Sequence, residues 1–194
     1  MGATDDITVP QDPVEFVRAL FKLDPKEYQA QLLEDKSKRI VVRWSRQAGK
    51  TTTIALRALW YAFTNPKSLS LIVAPSLRQS MILGDRVQDY LASLQQDYRA
   101  ALIDRQQRTV IRFTNSARIV ILPNSPQLLM GYTAHQVICD EAAFFREDEL
   151  VFYNVLYPML ATTARAHGRE ASMDCQTQGG SASCDSDRQQ RAAG

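Results

Sequence analysis

Long apolar runs are missing from this chain: nothing in it approaches the about 20 consecutive residues of a membrane-crossing helix, so no membrane association is expected. Cysteine is scarce. The three present, Cys139, Cys175 and Cys184, form no C-x-x-C pair, which argues against both a disulfide framework and a zinc site. Charge of one sign is also lacking, and a formal net charge of +2 does not by itself imply a nucleic-acid partner. The opening MGATDDITVPQDP carries acidic residues and no apolar h-region, so it does not read as a secretory signal and an intracellular setting is expected. Internal repeats are absent. What remains is a globular composition, 45% apolar and 23% charged over 194 residues, enough for one domain with its own core.

Hydrophobic periodicity organises that domain. VEFVRALFKL and PKEYQAQLLED read as two helices broken near Pro25, followed by the apolar strand RIVVRW and a helix from Lys50 to about Thr64. The turn signal NPKS leads into SLSLIVAP, a short strand of parallel-sheet character, giving β-α-β order. Ser76 can cap the next helix, in which Leu83, Val87, Tyr90, Leu91 and Leu94 recur at helical spacing. TVIRFTNSARIVIL reads as two strands around Asn115-Ser116, a hairpin inserted in the α/β order, and HQVIC as a further strand ending in acid. Cys139 in that strand is expected to be core. Residues 147–160 read as helical, with acidic residues where the helix dipole favours them. From about Ala171 the chain contains no Ile, Leu, Val or aromatic residue, so it is expected to supply no core strand and to be disordered.

Two segments carry chemistry. WSRQAGKT, residues 44 to 51, sits at a strand-to-helix turn, where backbone N–H groups around Gln47 to Lys50 can surround phosphates at the positive end of the following helix. It matches G-x-x-x-x-G-K-[ST] with Trp44 in place of the first glycine. Lys50 would contact the β- and γ-phosphates and Thr51 would offer its hydroxyl to Mg²⁺. An ordinary helix N-terminus fits the same four residues A-G-K-T. Farther on, VICDEAAF delivers two carboxylates at the C-terminal end of an apolar strand, where ligands bind in open α/β sheets. Asp140 would hold Mg²⁺ and Glu141 would orient or deprotonate an attacking water. An exposed acidic pair ending a strand is the alternative. Arg46, inside the loop, could stabilise developing γ-phosphoryl charge from within the same chain or form a salt bridge. Tyr28 and Gln29 suit adenine stacking and edge recognition, or simple helix packing. Arg99, Arg105, Arg108, Arg112 and Arg118 cluster against a single Asp104, which fits a solvated basic face or a DNA-facing surface.

Assembled, these residues resemble the ATPase domain of the large terminase subunit, the motor that packages viral DNA into procapsids. The resemblance rests on EYQAQLL, WSRQAGKTT, LIVAPSLRQS and GYTAHQVICDEAAF, and covers roughly residues 25 to 163. It implies a three-layer α/β P-loop NTPase of the ASCE type, a mainly parallel sheet with flanking helices and an inserted β-hairpin. It implies ATP and Mg²⁺ as cofactors, double-stranded DNA, a portal protein and a small terminase subunit as partners, and a homo-oligomeric ring. The setting would be the host cytoplasm, transiently at the viral procapsid. By position, residues 45 to 52 supply the triphosphate site: Ser45, Arg46, Gln47, Ala48, Gly49, Lys50, Thr51 and Thr52. Arg46, Lys50 and Glu141 would be catalytic, Thr51 and Asp140 would hold the metal, and Tyr28 with Gln29 would contact adenine.

The family continues with an apolar strand ending in a Ser/Thr-Thr-Pro-like coupling motif and then a nuclease domain. Neither the motif nor a nuclease carboxylate cluster is recognisable here. The expected organisation is a helical lead-in over 1–24, an ATPase domain over 25–165 incomplete at its C-terminal end, and a non-homologous tail over 166–194 arising from a truncated or shifted reading frame. His167 reads as an incidental polar residue. Two other functions fit the motifs: a nucleotide-binding remnant without turnover, and a superfamily 2 helicase-like ATPase. The helicase reading expects a second RecA-like domain that 194 residues cannot hold.

Overall fold

A computed structural model describes residues 8–167 and 172–176. Helices α1 (Pro13–Phe21) and α2 (Glu27–Glu34) precede β1 (Arg39–Val42), and α3 (Lys50–Thr64) leads to β2 (Leu69–Ala74). Then come α4 (Leu77–Ser93), α5 (Gln96–Leu102), β3 (Ile103–Gln106), β4 (Val110–Phe113), β5 (Arg118–Pro123) and α6 (Pro126–Leu129). Strand β6 (Gln136–Cys139) is followed by a 3₁₀ turn, a π-helical stretch (Leu150–Leu156), α7 (Tyr157–His167) and β7 (Ser172–Gln176). The seven strands form one sheet in the order β1-β7-β6-β2-β5-β4-β3. All pairs from β1 to β5 are parallel, and β5-β4 and β4-β3 are antiparallel.

Alternation along the strands builds the three layers. Ile72 and Ile138 face α1, α3 and α4, together with Ile40, Val42, Ile119 and Ile121. Leu69, Leu71, Val73, Val137 and Cys139 face the opposite way, onto the π-helical stretch and α7 through Val151, Val155, Leu156 and Leu160. A sheet covered on both faces needs apolar residues at successive positions, which is why all six residues of β2 are buried. Cys139 is buried core, as expected. Ser76 caps α4, its Oγ accepting from the Gln79 N–H at 3.3 Å.

The hairpin appears around Asn115-Ser116, with Ser116 in the left-handed region at φ 66°. Helix α5 and strand β3 extend it; no residue of QDYRAALIDRQ is fully buried, and only Tyr98, Leu102 and Ile103 pack against the core, too few to set a period. The segment expected to be helical from Glu147 begins as a π-helix and turns α-helical only at Tyr157.

Strand β7 corrects the reading of residues beyond Ala171 as unable to supply a core strand. It pairs in parallel with β1 on one side and β6 on the other. A strand flanked on both sides takes its hydrogen bonds from neighbouring backbones, so its side chains need only be compatible with the two layers. Met173 joins one apolar layer, and Asp174, buried on the other, meets Arg57 of α3 at 3.3 Å. Residues 1–7, 168–171 and 177–194, the first part of the lead-in and most of the tail expected above, lie outside the described residues.

Candidate nucleotide site

The loop after β1 and the acidic end of β6 both open at the C-terminal edge of the sheet, with only β7 between their strands. In the loop, Arg46 and Gln47 make a tight turn in which Gln47 adopts φ 63° and Gly49 φ 80°, and α3 starts at Lys50. Alternating unusual backbone conformations of this kind turn successive N–H groups toward one concavity. Residues 44–47 and 49–52 line a pocket of about 280 Å³ there. A larger cavity, about 710 Å³, lies at the other ends of β1 and β7 beside Arg57 and Trp60. It has neither a phosphate loop nor strand-end carboxylates, and ligands of open α/β sheets bind at the carboxyl ends.

Gly49 is held there by its neighbours. A Cβ at this position would come within 2.5 Å of the Gln29 side-chain nitrogen. Gln29 is itself fixed at both ends, its Oε1 accepting from the Lys26 N–H at 2.9 Å and its Nε2 donating to the Ala48 carbonyl at 3.3 Å. Tyr28 Oη donates to the same carbonyl at 3.0 Å, and its ring stands edge-on against Trp44 at 4.8 Å between centroids. Trp44, in place of the usual first glycine, is therefore a wall between the loop and α2. Tyr28 and Gln29 lie beside the loop as the sequence suggests, and in this state they steady it.

At the other wall, Asp140 is buried and Glu141 is half-buried. Burial, then the adjoining Glu141 carboxylate, push Asp140 up to about 6, against the pull of the Lys50 ammonium. The buried lysine that opens α3 and the buried aspartate just after β6 therefore share one electrostatic environment. Glu141 sits at φ 53°, a strained conformation for a side-chain-bearing residue that swings it off the strand direction. Such strain concentrates where a group must be aimed.

The donor set suits Mg²⁺. Among the described residues no cluster of three or more His, Cys, Asp or Glu could hold a metal on its own. Asp140 offers a buried carboxylate whose charge is eased by Lys50 and by the Glu141 backbone N–H, and the Thr51 hydroxyl makes no hydrogen bond to the protein among the described residues. One or two protein oxygens completed by phosphate and water oxygens is the usual magnesium shell.

Arg57 was not singled out by sequence. It is buried in α3, where Nη1 donates to the carbonyls of Leu32 and Leu33 at 2.5 and 2.9 Å and Nη2 to that of Asp35 at 2.7 Å. Its guanidinium thus caps the end of α2 while pairing with Asp174. The available signal was a lone cation inside TTTIALRALW, a stretch buried at every position from Thr53 to Leu59.

No curated protein matches the chain. The ATPase domain of the large terminase of Thermus phage P74-26 shares 22% identity, with a TM-score of 0.69 over 84% of this chain and 68% of that one. The large terminase of bacteriophage HK97 shares 14%, with a TM-score of 0.65 over 86% of this chain and 37% of that one. The large terminase of the thermophilic bacteriophage D6E in complex with ATP-γ-S shares 17%, with a TM-score of 0.55 over 78% of this chain and 37% of that one. At such identities these likenesses establish the fold, a P-loop NTPase of the ASCE type with helices on both faces of a mixed sheet. The family model for the large terminase subunit, T4-like virus type, N-terminal, matches residues 43–162, from the loop through both carboxylates to α7, and the chain belongs to that family.

Proposed function

We propose that this chain binds ATP between the loop after β1 and the acidic end of β6, and hydrolyses it with Mg²⁺ to drive packaging of double-stranded DNA. The ATPase unit runs from about residue 25 through β7, behind a helical lead-in. Its setting is the host cytoplasm at the viral procapsid, in a ring of copies with a portal and a small subunit as partners. Family membership supports the motor role. The observation that carries the nucleotide reading is the convergence of Lys50 and Asp140.

Each residue then has a task. Backbone N–H groups of Gln47 to Lys50, with Ser45, Ala48 and Thr52 completing the loop, cradle the phosphates at the positive end of α3. Lys50 reaches the β- and γ-phosphates, and Thr51 and Asp140 hold the metal. Mg²⁺ held by Thr51 and Asp140 would supply a Lewis acid that offsets phosphate charge. Glu141, off the metal, accepts a proton from the attacking water and orients it in line. Arg46 adds a permanent positive charge beside the γ-phosphoryl oxygens. Tyr28 and Gln29 trade part of their hold on Ala48 for adenine.

Magnesium-dependent ATP turnover by wild type and Lys50→Ala tests this. Turnover in wild type that falls at least about a hundredfold in the variant supports the reading, since oriented charge at the phosphates supplies that much. ATP binding without any turnover would favour a nucleotide-binding remnant. Absence of binding would remove the phosphate loop from the account.

A further inference from the structure

The structure separates the five clustered arginines. Arg99 donates to the Gln106 side chain at 3.5 Å, and Arg108 lies in the β3–β4 turn, where its carbonyl accepts from Gln88 at 3.0 Å. The other three line up: Arg105 is the cross-strand partner of Arg112, and Arg112 of Arg118. Register partners point to the same face, so three exposed guanidinium groups stand in a row across β3, β4 and β5. None of the three is in an ion pair among the described residues.

Register makes this row informative. From the pair Ile103↔Phe113, a regular antiparallel ladder would set Asp104 opposite Arg112, an attractive cross-strand pair. The register shifts between Ile103 and Arg105, passing over Asp104 and setting Arg105 there instead. Like charges directly opposite destabilise a sheet, so folding gains nothing from the exchange. A polyanion would.

We propose that Arg105, Arg112 and Arg118 form a contact surface for the phosphate backbone of duplex DNA. Adjacent strands are about 4.8 Å apart, so the row spans about 10 Å. Duplex DNA presents a phosphate about every 3.4 Å of axis on each strand, so three lie within reach. Guanidinium groups bind phosphate through a bidentate fork. No large apolar side chain between Leu77 and Leu128 is exposed except Ile82 on α4, so the row has no stacking platform for single-stranded bases. The row also lies away from the nucleotide site. Arg118 pairs with Leu69 at the start of β2, whereas the Asp140 N–H bonds to Val73 near its end.

This surface rests on the packaging reading for its biological meaning, but nucleotide-free DNA binding tests it separately. The experiment measures anisotropy of a short labelled duplex with the full chain across a salt series. The combined Arg105→Gln, Arg112→Gln and Arg118→Gln variant should bind at least about tenfold more weakly and lose about 2–3 units of slope in log affinity against log salt. The corresponding triple Lys variant should keep most of the slope, and fluorescent-ATP binding should be unchanged in both. Arg86→Gln, on α4, should change the slope by less than about one. Unchanged affinity and slope in the triple Gln variant overturn the proposal, as does polyglutamate binding as tight as duplex binding. If wild type fails to hydrolyse ATP yet shows the predicted duplex binding, the surface stands and the ATPase reading falls.

Discussion

Asp140 carries a cost that its position in the fold imposes. Folding buries it beside Glu141 and leaves it at about 6, above the ordinary aspartate value of 3.8. The folded state therefore holds a proton that the unfolded state has released over the window between about pH 4 and pH 6. Stability falls wherever the native state binds more protons than the unfolded state as pH rises, so without metal this group costs up to about 3 kcal/mol at neutral pH. Asp140→Asn removes the charge but not the bulk. In EDTA, urea unfolding should find the Asn variant close to wild type near pH 4 and increasingly more stable toward pH 7, by about 1–3 kcal/mol. Equal stabilities across that range would mean the carboxylate is not strained by its site. Lys50 offsets part of this cost, and the proposed divalent cation would offset more.

Among the elements, side chains join α2 to the loop and β7 to α3. Gln29 and Tyr28 tie the start of α2 to Ala48, and Arg57 ties its end to α3 and β7. Burial raises the Asp174 carboxyl while Arg57 pulls it down, so the pair is held by mutual need. Arg57→Met should cost about 3–5 kcal/mol in urea unfolding, because it strands a buried carboxylate and three helix-end carbonyls. Arg57→Met combined with Asp174→Leu should recover part of that loss. A single variant as stable as wild type would refute the strut. Helices α1 to α4 and strands β1, β2 and β6 could be read from sequence because each has its own period or a phosphate loop to anchor it. Strand β7 could not: its place depends on Met173 and Asp174 finding partners far away in the chain. The register of β3 was hidden as well, since a register shift is set by pairing and not by composition.

Across the whole molecule, parallel strands deliver Lys50 and Asp140 to one edge, and the antiparallel extension presents arginines at the other end of the sheet. The residues of the loop and the acidic pair were readable because their spacing relative to strand ends carries the chemistry. The support behind them, Trp44 against Tyr28 and Arg57 beneath α2, was not, since packing partners leave no motif. The account stands on Glu141 being the carboxylate that acts on water while Asp140 and the loop hold the nucleotide. Parallel measurement of ATP affinity and steady-state turnover in wild type and Glu141→Gln tests that division most directly. The account predicts ATP affinity within about threefold of wild type and turnover reduced by about 10²–10⁴-fold. Turnover retained in Glu141→Gln, or affinity lost together with turnover, would contradict it.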